Sequence, residues 1–191
     1  MLALKELIRN ELFENAEVHR LLAEKQVEVI LEIARVLIQS VKCRGKILFC
    51  GNGGSAADAQ HLATELVGRY RRERKALPAL ALTANTSLLT AISNDYGFEE
   101  VFLRQIGALL DKNDVLIALS TSGNSPNVVA AVEAANAKGA VTIGFTGKDG
   151  GLVKRVARYS LLVPTTQTAR IQEAHLTVGH ILCGLIEAAF C

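Results

Sequence analysis

Apolar residues recur every three or four positions through the first forty-odd residues: Leu4, Leu7, Ile8 and Leu12, then Leu22, Val29, Ile30, Ile33, Leu37 and Val41. This spacing predicts amphipathic helix. Past residue 43 the period changes. Short β-rich apolar runs stand at Lys46–Cys50, Leu80–Leu82, Val115–Leu119, Val141–Phe145 and Ser160–Val163. Turn residues and a helix-compatible segment follow each of the first four, over about 55–69, 86–93, 125–138 and 151–158. A last helix is expected from near Arg170 almost to the C-terminus. Strands alternating with helices predict an α/β fold, a parallel sheet of five strands flanked by helices. No repeat or Pro/Gly-rich linker divides the chain, so residues 1–191 are read as one domain, 1–43 a helical segment and 44–191 the α/β core.

In open parallel sheets, ligands bind outside the carboxyl ends of the strands. Two loops there carry chemistry. The first, Gly51-Asn52-Gly53-Gly54-Ser55-Ala56, permits positive φ and close backbone approach, ahead of a helix N-terminus with unpaired N–H groups. It fits the dinucleotide pattern G-x-G-x-x-[G/A], but that use needs an acidic residue about 20 positions on. The next strand ends in Thr83-Ala84-Asn85, without a carboxylate. A ligand-free tight turn stays open as the plainer alternative. The second loop reads Ser120-Thr121-Ser122-Gly123-Asn124-Ser125-Pro126. Ser125 is a natural N-cap and Pro126 a natural first helical residue. Four hydroxyls crowd a helix N-terminus that favours anions, and with no Lys in the loop a monoester phosphate fits better than a nucleoside triphosphate. Capping and solvation of the turn alone is the alternative use of those hydroxyls.

Two helices carry polar residues among small and aliphatic ones. At 100° per residue, Asp58, His61, Glu65 and Arg69 fall within an arc of about 80°. Such a stripe is commonly a solvated face. Here it begins at the glycine loop, where His61 and Glu65 could share a metal ion or Glu65 could act as a general base. The last helix carries Gln172, Glu173, His175 and His180. A histidine on an apolar helix is more often a satisfied core residue than a catalyst, and His180 is open to either role.

Composition narrows the field. With 21 Lys+Arg against 19 Asp+Glu the formal charge is +2, so no global basic field marks the chain as a nucleic-acid binder. Its one basic cluster, Arg69–Lys75, suits a solvated surface or an intersubunit ion-pair patch. No apolar stretch reaches the ~18 residues of a membrane span, and Lys5 and Glu6 interrupt the N-terminus where a secretory signal would need an apolar core. Cys43, Cys50, Cys183 and Cys191, without C-x-x-C spacing, read as reduced, mostly buried thiols of a cytoplasmic protein.

Taken together, Gly51–His61, Asn94-Asp95-Tyr96-Gly97-Phe98-Glu99, Ser120–Asn127 and Arg170–His175 with His180 make the chain resemble the phosphoheptose isomerase family of sugar isomerase (SIS) domains. The resemblance implies a flavodoxin-like sheet and a homotetramer with active sites between subunits. It also implies aldose–ketose isomerisation of sedoheptulose 7-phosphate to D-glycero-D-manno-heptose 7-phosphate, the first step in supplying nucleotide-activated heptose for lipopolysaccharide. Glu65 and His180 would be the acid/base pair. Ser55, Ser120, Thr121, Ser122 and Ser125 would receive the phosphate, and Asn52, Asp95 and Gln172 would contact sugar hydroxyls. Gly53, Asn94 and Arg69 join the substrate set. Zinc would be held by His61, Glu65, Gln172 and His180, with no nucleotide or redox cofactor. Asn124 stands where some relatives have Lys. Binding proteins on the same scaffold, such as DnaA-binding regulators of replication initiation, are the alternative.

Spacing adds one inference of its own. Gln172 and His180, eight residues apart, are separated by about 12 Å along a straight helix. Either the helix is irregular near 172 or one ion takes the two residues from different subunits, and the second is expected.

Overall fold

The N-terminal periodicity becomes two helices, α1 (Leu2–Lys25) and α2 (Val27–Lys42), separated at Gln26 in the computed structural model, which describes residues 1–191. The apolar stripe of α2 is buried through Ile30, Ile33, Ala34, Leu37 and Val41. In α1 only Val18 and Leu22 are buried.

The five strands, β1 (Ile47–Gly51), β2 (Ala79–Ala81), β3 (Val115–Ser120), β4 (Val141–Thr146) and β5 (Tyr159–Leu162), form one parallel sheet in the order β2-β1-β3-β4-β5. Alternate side chains go to opposite faces. Ile47, Phe49, Val115, Ile117, Leu119, Ile143 and Phe145 pack under α2, α3 (Gly54–Val67) and α8 (Thr168–Ala188). Leu48, Cys50, Leu116 and Ala118 pack under α5 (Glu100–Leu109), α6 (Pro126–Ala137) and α7 (Gly151–Val156), with Ile92 of α4 (Thr86–Tyr96). Burial on both faces is why the strands read as continuous apolar runs.

Three features differ from what the sequence predicts. The segment expected over 86–93 runs on to Tyr96, where Gly97 at φ 101° ends it, and the unanticipated α5 follows. Its buried face is Val101, Phe102, Gln105 and Ile106, with Gln105 Nε2 donating to Leu82 O at 2.9 Å. The last helix begins at Thr168, two residues before the expected start, and is unbroken to Ala188, which removes helix irregularity near Gln172 as an explanation. The cysteines are free but not mostly buried. Cys43 and Cys191 are exposed, while burial pushes the Cys50 and Cys183 thiols up to about 12.

His175 is fully buried on α8, with its ring 5.6 Å from that of Phe145 and Nε2 3.3 Å from Thr146 O. Burial pushes its pKa down from 6.5 to about 4, the backbone contact offsetting part of this. As the pH falls through about 6.5 the unfolded chain takes up a proton that the folded chain refuses until about 4. Stability is therefore intact above that window and is lost across it, by about 3 kcal/mol. His175→Gln removes the titration. The gap in urea midpoint between wild type and variant is expected to shrink from pH 7 to pH 4.5, and a constant gap would assign the acid sensitivity to other groups.

Candidate functional site

The strand order reverses between β1 and β3, and in such a sheet the crevice lies beyond the carboxyl ends at that reversal. The glycine loop leaves β1 and the hydroxyl loop leaves β3, side by side. Gly53 at φ 55° turns the chain into α3. At Gly54 a Cβ would lie 2.5 Å from Gln172 Nε2, so the Gln172 side chain rests over this loop. Ser55 is buried just inside α3. Between the loops, Asn52 Nδ2 donates to Asn127 Oδ1 and Asn127 Nδ2 donates to Asn52 Oδ1, both at 2.9 Å.

In the hydroxyl loop Ser125 is the N-cap residue of α6 and Pro126 opens the helix, as expected. The Ser125 hydroxyl makes no capping bond. It lies 3.1 Å from the Oγ of buried Ser120. Thr121 and Ser122 are half-buried. Gly123, at φ 68°, passes so close to Gly150 O that a Cβ would lie 1.9 Å from it. The Asn124 side chain accepts from Leu152 N at 3.0 Å and donates to Ser122 O at 3.1 Å, while its backbone N–H donates to the Ser122 hydroxyl at 3.1 Å. The loop therefore offers hydroxyls and a helix terminus, groups able to meet an anion, and no cationic side chain.

Further along α3, His61 and Glu65 converge with His180 of α8. Their donor atoms all lie within 4.8 Å of one another. His61 Nε2 is 2.8 Å from His180 Nε2 and 3.4 Å from Glu65 Oε1. Two imidazole nitrogens at that distance need a proton or a cation between them, or their lone pairs repel. Two imidazoles and a carboxylate are a donor set suited to zinc. Close packing of α3 on α8 makes the convergence possible. A Cβ on Gly179 would sit 2.5 Å from Leu62 Cδ2, and these two residues adjoin His180 and His61 in sequence. Burial lowers the His180 pKa, with further lowering by His61 and Arg71 against an opposing pull from Glu65. Asp58 is half-buried and not a solvated member of the stripe. Burial raises its carboxyl to about 6 against a smaller downward pull from His61, and its Oδ2 has no partner.

Three expected substrate residues lie apart from this convergence. Arg69 does not share the His61/Glu65 face, because α3 stops at Val67 with Gly68 as its C-cap. Its exposed side chain meets Glu73 at 4.0 Å. Asn94 and Asp95 sit exposed on the last turn of α4, Asn94 Nδ2 donating to Asp95 Oδ1 at 2.8 Å. Two contributors escape sequence reasoning. Asn127 carried no signal beyond its place after the cap, although its amide holds Asn52. Tyr70 lay hidden in the basic run, yet its ring stacks on His180 at 5.4 Å and 10°.

Residues 14–147 match the family model described as SIS domain. A phosphoheptose isomerase of Rhodospirillum rubrum is 57% identical over 162 residues, covering 85% of this chain and 86% of its own length. Two solved structures are similar throughout. The phosphoheptose isomerase of Neisseria gonorrhoeae has a TM-score of 0.91 at 43% identity, covering 97% of this chain and 99% of that one. For the enzyme from Francisella tularensis the figures are 0.94 and 34%, with 98% and 100% covered.

Gly179→Ala wedges α3 from α8 beside both histidines. Zinc affinity, measured by calorimetry on the folded variant, is expected to fall on the order of tenfold or more, as when the support behind a metal ligand is disturbed. Unchanged affinity would show that the helix contact does not set the donor geometry.

Proposed function

This chain belongs to the SIS domain family, among its phosphoheptose isomerases, and we infer that it converts sedoheptulose 7-phosphate into D-glycero-D-manno-heptose 7-phosphate. The observation that carries the inference is the meeting of Glu65, His61 and His180 on two helices, one of which opens at the glycine loop. Retention of this group favours catalysis over the binding-only alternative, which has no use for it.

Moving a proton between C1 and C2 through an enediol needs a base for the carbon-bound proton and an acid to serve the oxygens. Glu65 is the base in this proposal. Its carboxylate is held by α3 and is only partly exposed (18%), a setting that limits competition from water. His180 is the acid, presenting Nε2 to the same space. The hydroxyls of Ser120, Thr121, Ser122 and Ser125, with Ser55, grip the phosphate; Ser55 and Glu65 of one chain stand about 15 Å apart along α3, so the Glu65 that C1 and C2 meet is proposed to belong to a neighbouring subunit. Asn52, held by Asn127, and Gly53 line the approach to the sugar. Gln172 covers the same loop from above. His61, Glu65 and His180 would hold zinc, which would supply carbonyl polarisation, and Glu65 and His180 would have to be released from the ion to move protons.

The fourth zinc ligand, Gln172, is proposed to come from a neighbouring subunit. Along unbroken α8 it stands about 12 Å from His180 of its own chain. Assembly into a homotetramer is supported by the first half of α1, where Leu4, Leu7, Ile8 and Leu12 remain 57–67% exposed in one chain. Covering that stripe is what a second subunit offers. Arg69, Asn94 and Asp95 would then reach substrate across the interface. No helix is long and apolar enough to cross a membrane, and a cytoplasmic location in heptose supply for lipopolysaccharide belongs to the same proposal.

Purified protein given sedoheptulose 7-phosphate is expected to form the aldose, followed by NMR. Glu65→Gln should fold and lose about 10²–10⁴-fold in kcat, the usual worth of an acid/base group. Near-normal turnover in that variant would remove Glu65 from the mechanism. Leu7→Glu combined with Ile8→Glu should yield smaller species by light scattering, together with loss of turnover. A full assembly in that variant would exclude the α1 stripe as an interface.

A further inference from the structure

Glu187 is a buried carboxylate that the isomerisation does not use. It lies on α8, seven residues past His180, and is 2% exposed. Its oxygens accept from three successive backbone N–H groups: Oε1 from Tyr70 at 3.0 Å, and Oε2 from Arg71 at 2.9 Å and Arg72 at 3.0 Å. The Arg74 side chain, also 2% exposed, brings Nε to 3.6 Å from Oε1. Its other nitrogens donate to Glu65 O at 2.7 Å and Gly68 O at 2.8 Å. Burial alone would raise the Glu187 pKa, but the backbone donors and Arg74 outweigh it and hold the group below the ordinary carboxylate range.

The segment fixed in this way carries Tyr70. Its ring lies nearly parallel to the His180 imidazole in an offset stack, with Arg71 4.8 Å above the tyrosine and His61 edge-on to the imidazole. Gly184 lies beside the ring, where a Cβ would make ordinary contact with Tyr70 Cε1 at 3.4 Å. The His180 imidazole is thus braced on one face by a residue whose backbone is tied to the same helix.

We propose that Glu187 is a positioning residue for isomerisation: it anchors the 70–72 backbone to α8, and through the Tyr70 stack sets the orientation of His180. The proposal rests on His180 being the acid of the proposed reaction. Arg74 assists by neutralising the acid and holding the end of α3 through Glu65 O.

The test compares Glu187→Gln, Tyr70→Ala, Tyr70→Phe and the Glu187→Gln/Tyr70→Ala double variant. A carboxamide offers one acceptor oxygen where the carboxylate offers two. Glu187→Gln and Tyr70→Ala should each lower kcat on the order of 10- to 100-fold, the scale for a misplaced catalytic group, with KM changed less than about threefold. Tyr70→Phe keeps the ring and should restore most of what Tyr70→Ala loses. The double variant should be no slower than Tyr70→Ala. The ¹⁵N imidazole signals of His180, assigned by their loss in His180→Gln, should shift in Glu187→Gln. Unchanged kcat and His180 signals in folded Glu187→Gln, or losses that multiply in the double variant, would overturn the proposal. If Glu187→Gln does not fold, Arg72→Pro removes one of the three N–H donors at an exposed position and carries the same two readouts. A wild type that does not isomerise the sugar would defeat the proposed function, while the imidazole signals would still decide whether Glu187 orients His180.

Discussion

The pairing of β1 with β3 is the constraint from which the site follows. These strands run in parallel from Ile47↔Val115 to Gly51↔Leu119, so both chains leave the sheet at the same height. The connections then diverge, one through α3 and the other through α6. A crevice must open where they part. The reciprocal amide bonds of Asn52 and Asn127 close its floor and fix the two loops relative to each other. The sheet thereby sets the distance between the hydroxyl loop and the glycine loop, leaving the loops only local geometry to define.

α3 and α8 bring His61, Glu65 and His180 together by a different means. Their separation is set at Gly179 and Leu62, where there is no room for a side chain on the glycine. His180 directly follows Gly179 and His61 directly precedes Leu62. α8 then works as a ruler laid across the molecule, with Gln172 over the glycine loop, His180 against α3 and Glu187 under the loop that follows α3. No irregularity along Thr168–Ala188 brings these three levels together, so functions at different heights need different partners.

Much of this was legible in the sequence where local physics decides. The strands announced themselves as apolar runs because both faces are covered, and Ser125-Pro126 marked the start of α6, although the serine hydroxyl meets Ser120 and caps nothing. Legibility failed where tertiary context decides. α5 is short and follows a glycine stop, so its pattern of Val101, Phe102 and Ile106 was too brief to stand out. Extrapolating 100° per residue carried Arg69 onto the His61 face, whereas Gly68 had already ended the helix. Tyr70, among arginines, gave no hint of a stack on a residue more than a hundred positions away. The Asn52–Asn127 pair spans two loops, and no spacing rule reports such a contact.

The anchoring of residues 70–72 has a consequence for how the chain can diverge. Glu187 binds peptide N–H groups, which every residue but proline supplies, so the contact is blind to side-chain identity. Arg71 and Arg72, both exposed, are free to drift or to take on new surface duties without releasing the loop. Selection at this corner therefore falls on an acid, a ring, a backbone path and the buried Arg74 charge, while the neighbouring charge of Arg72 carries none of it.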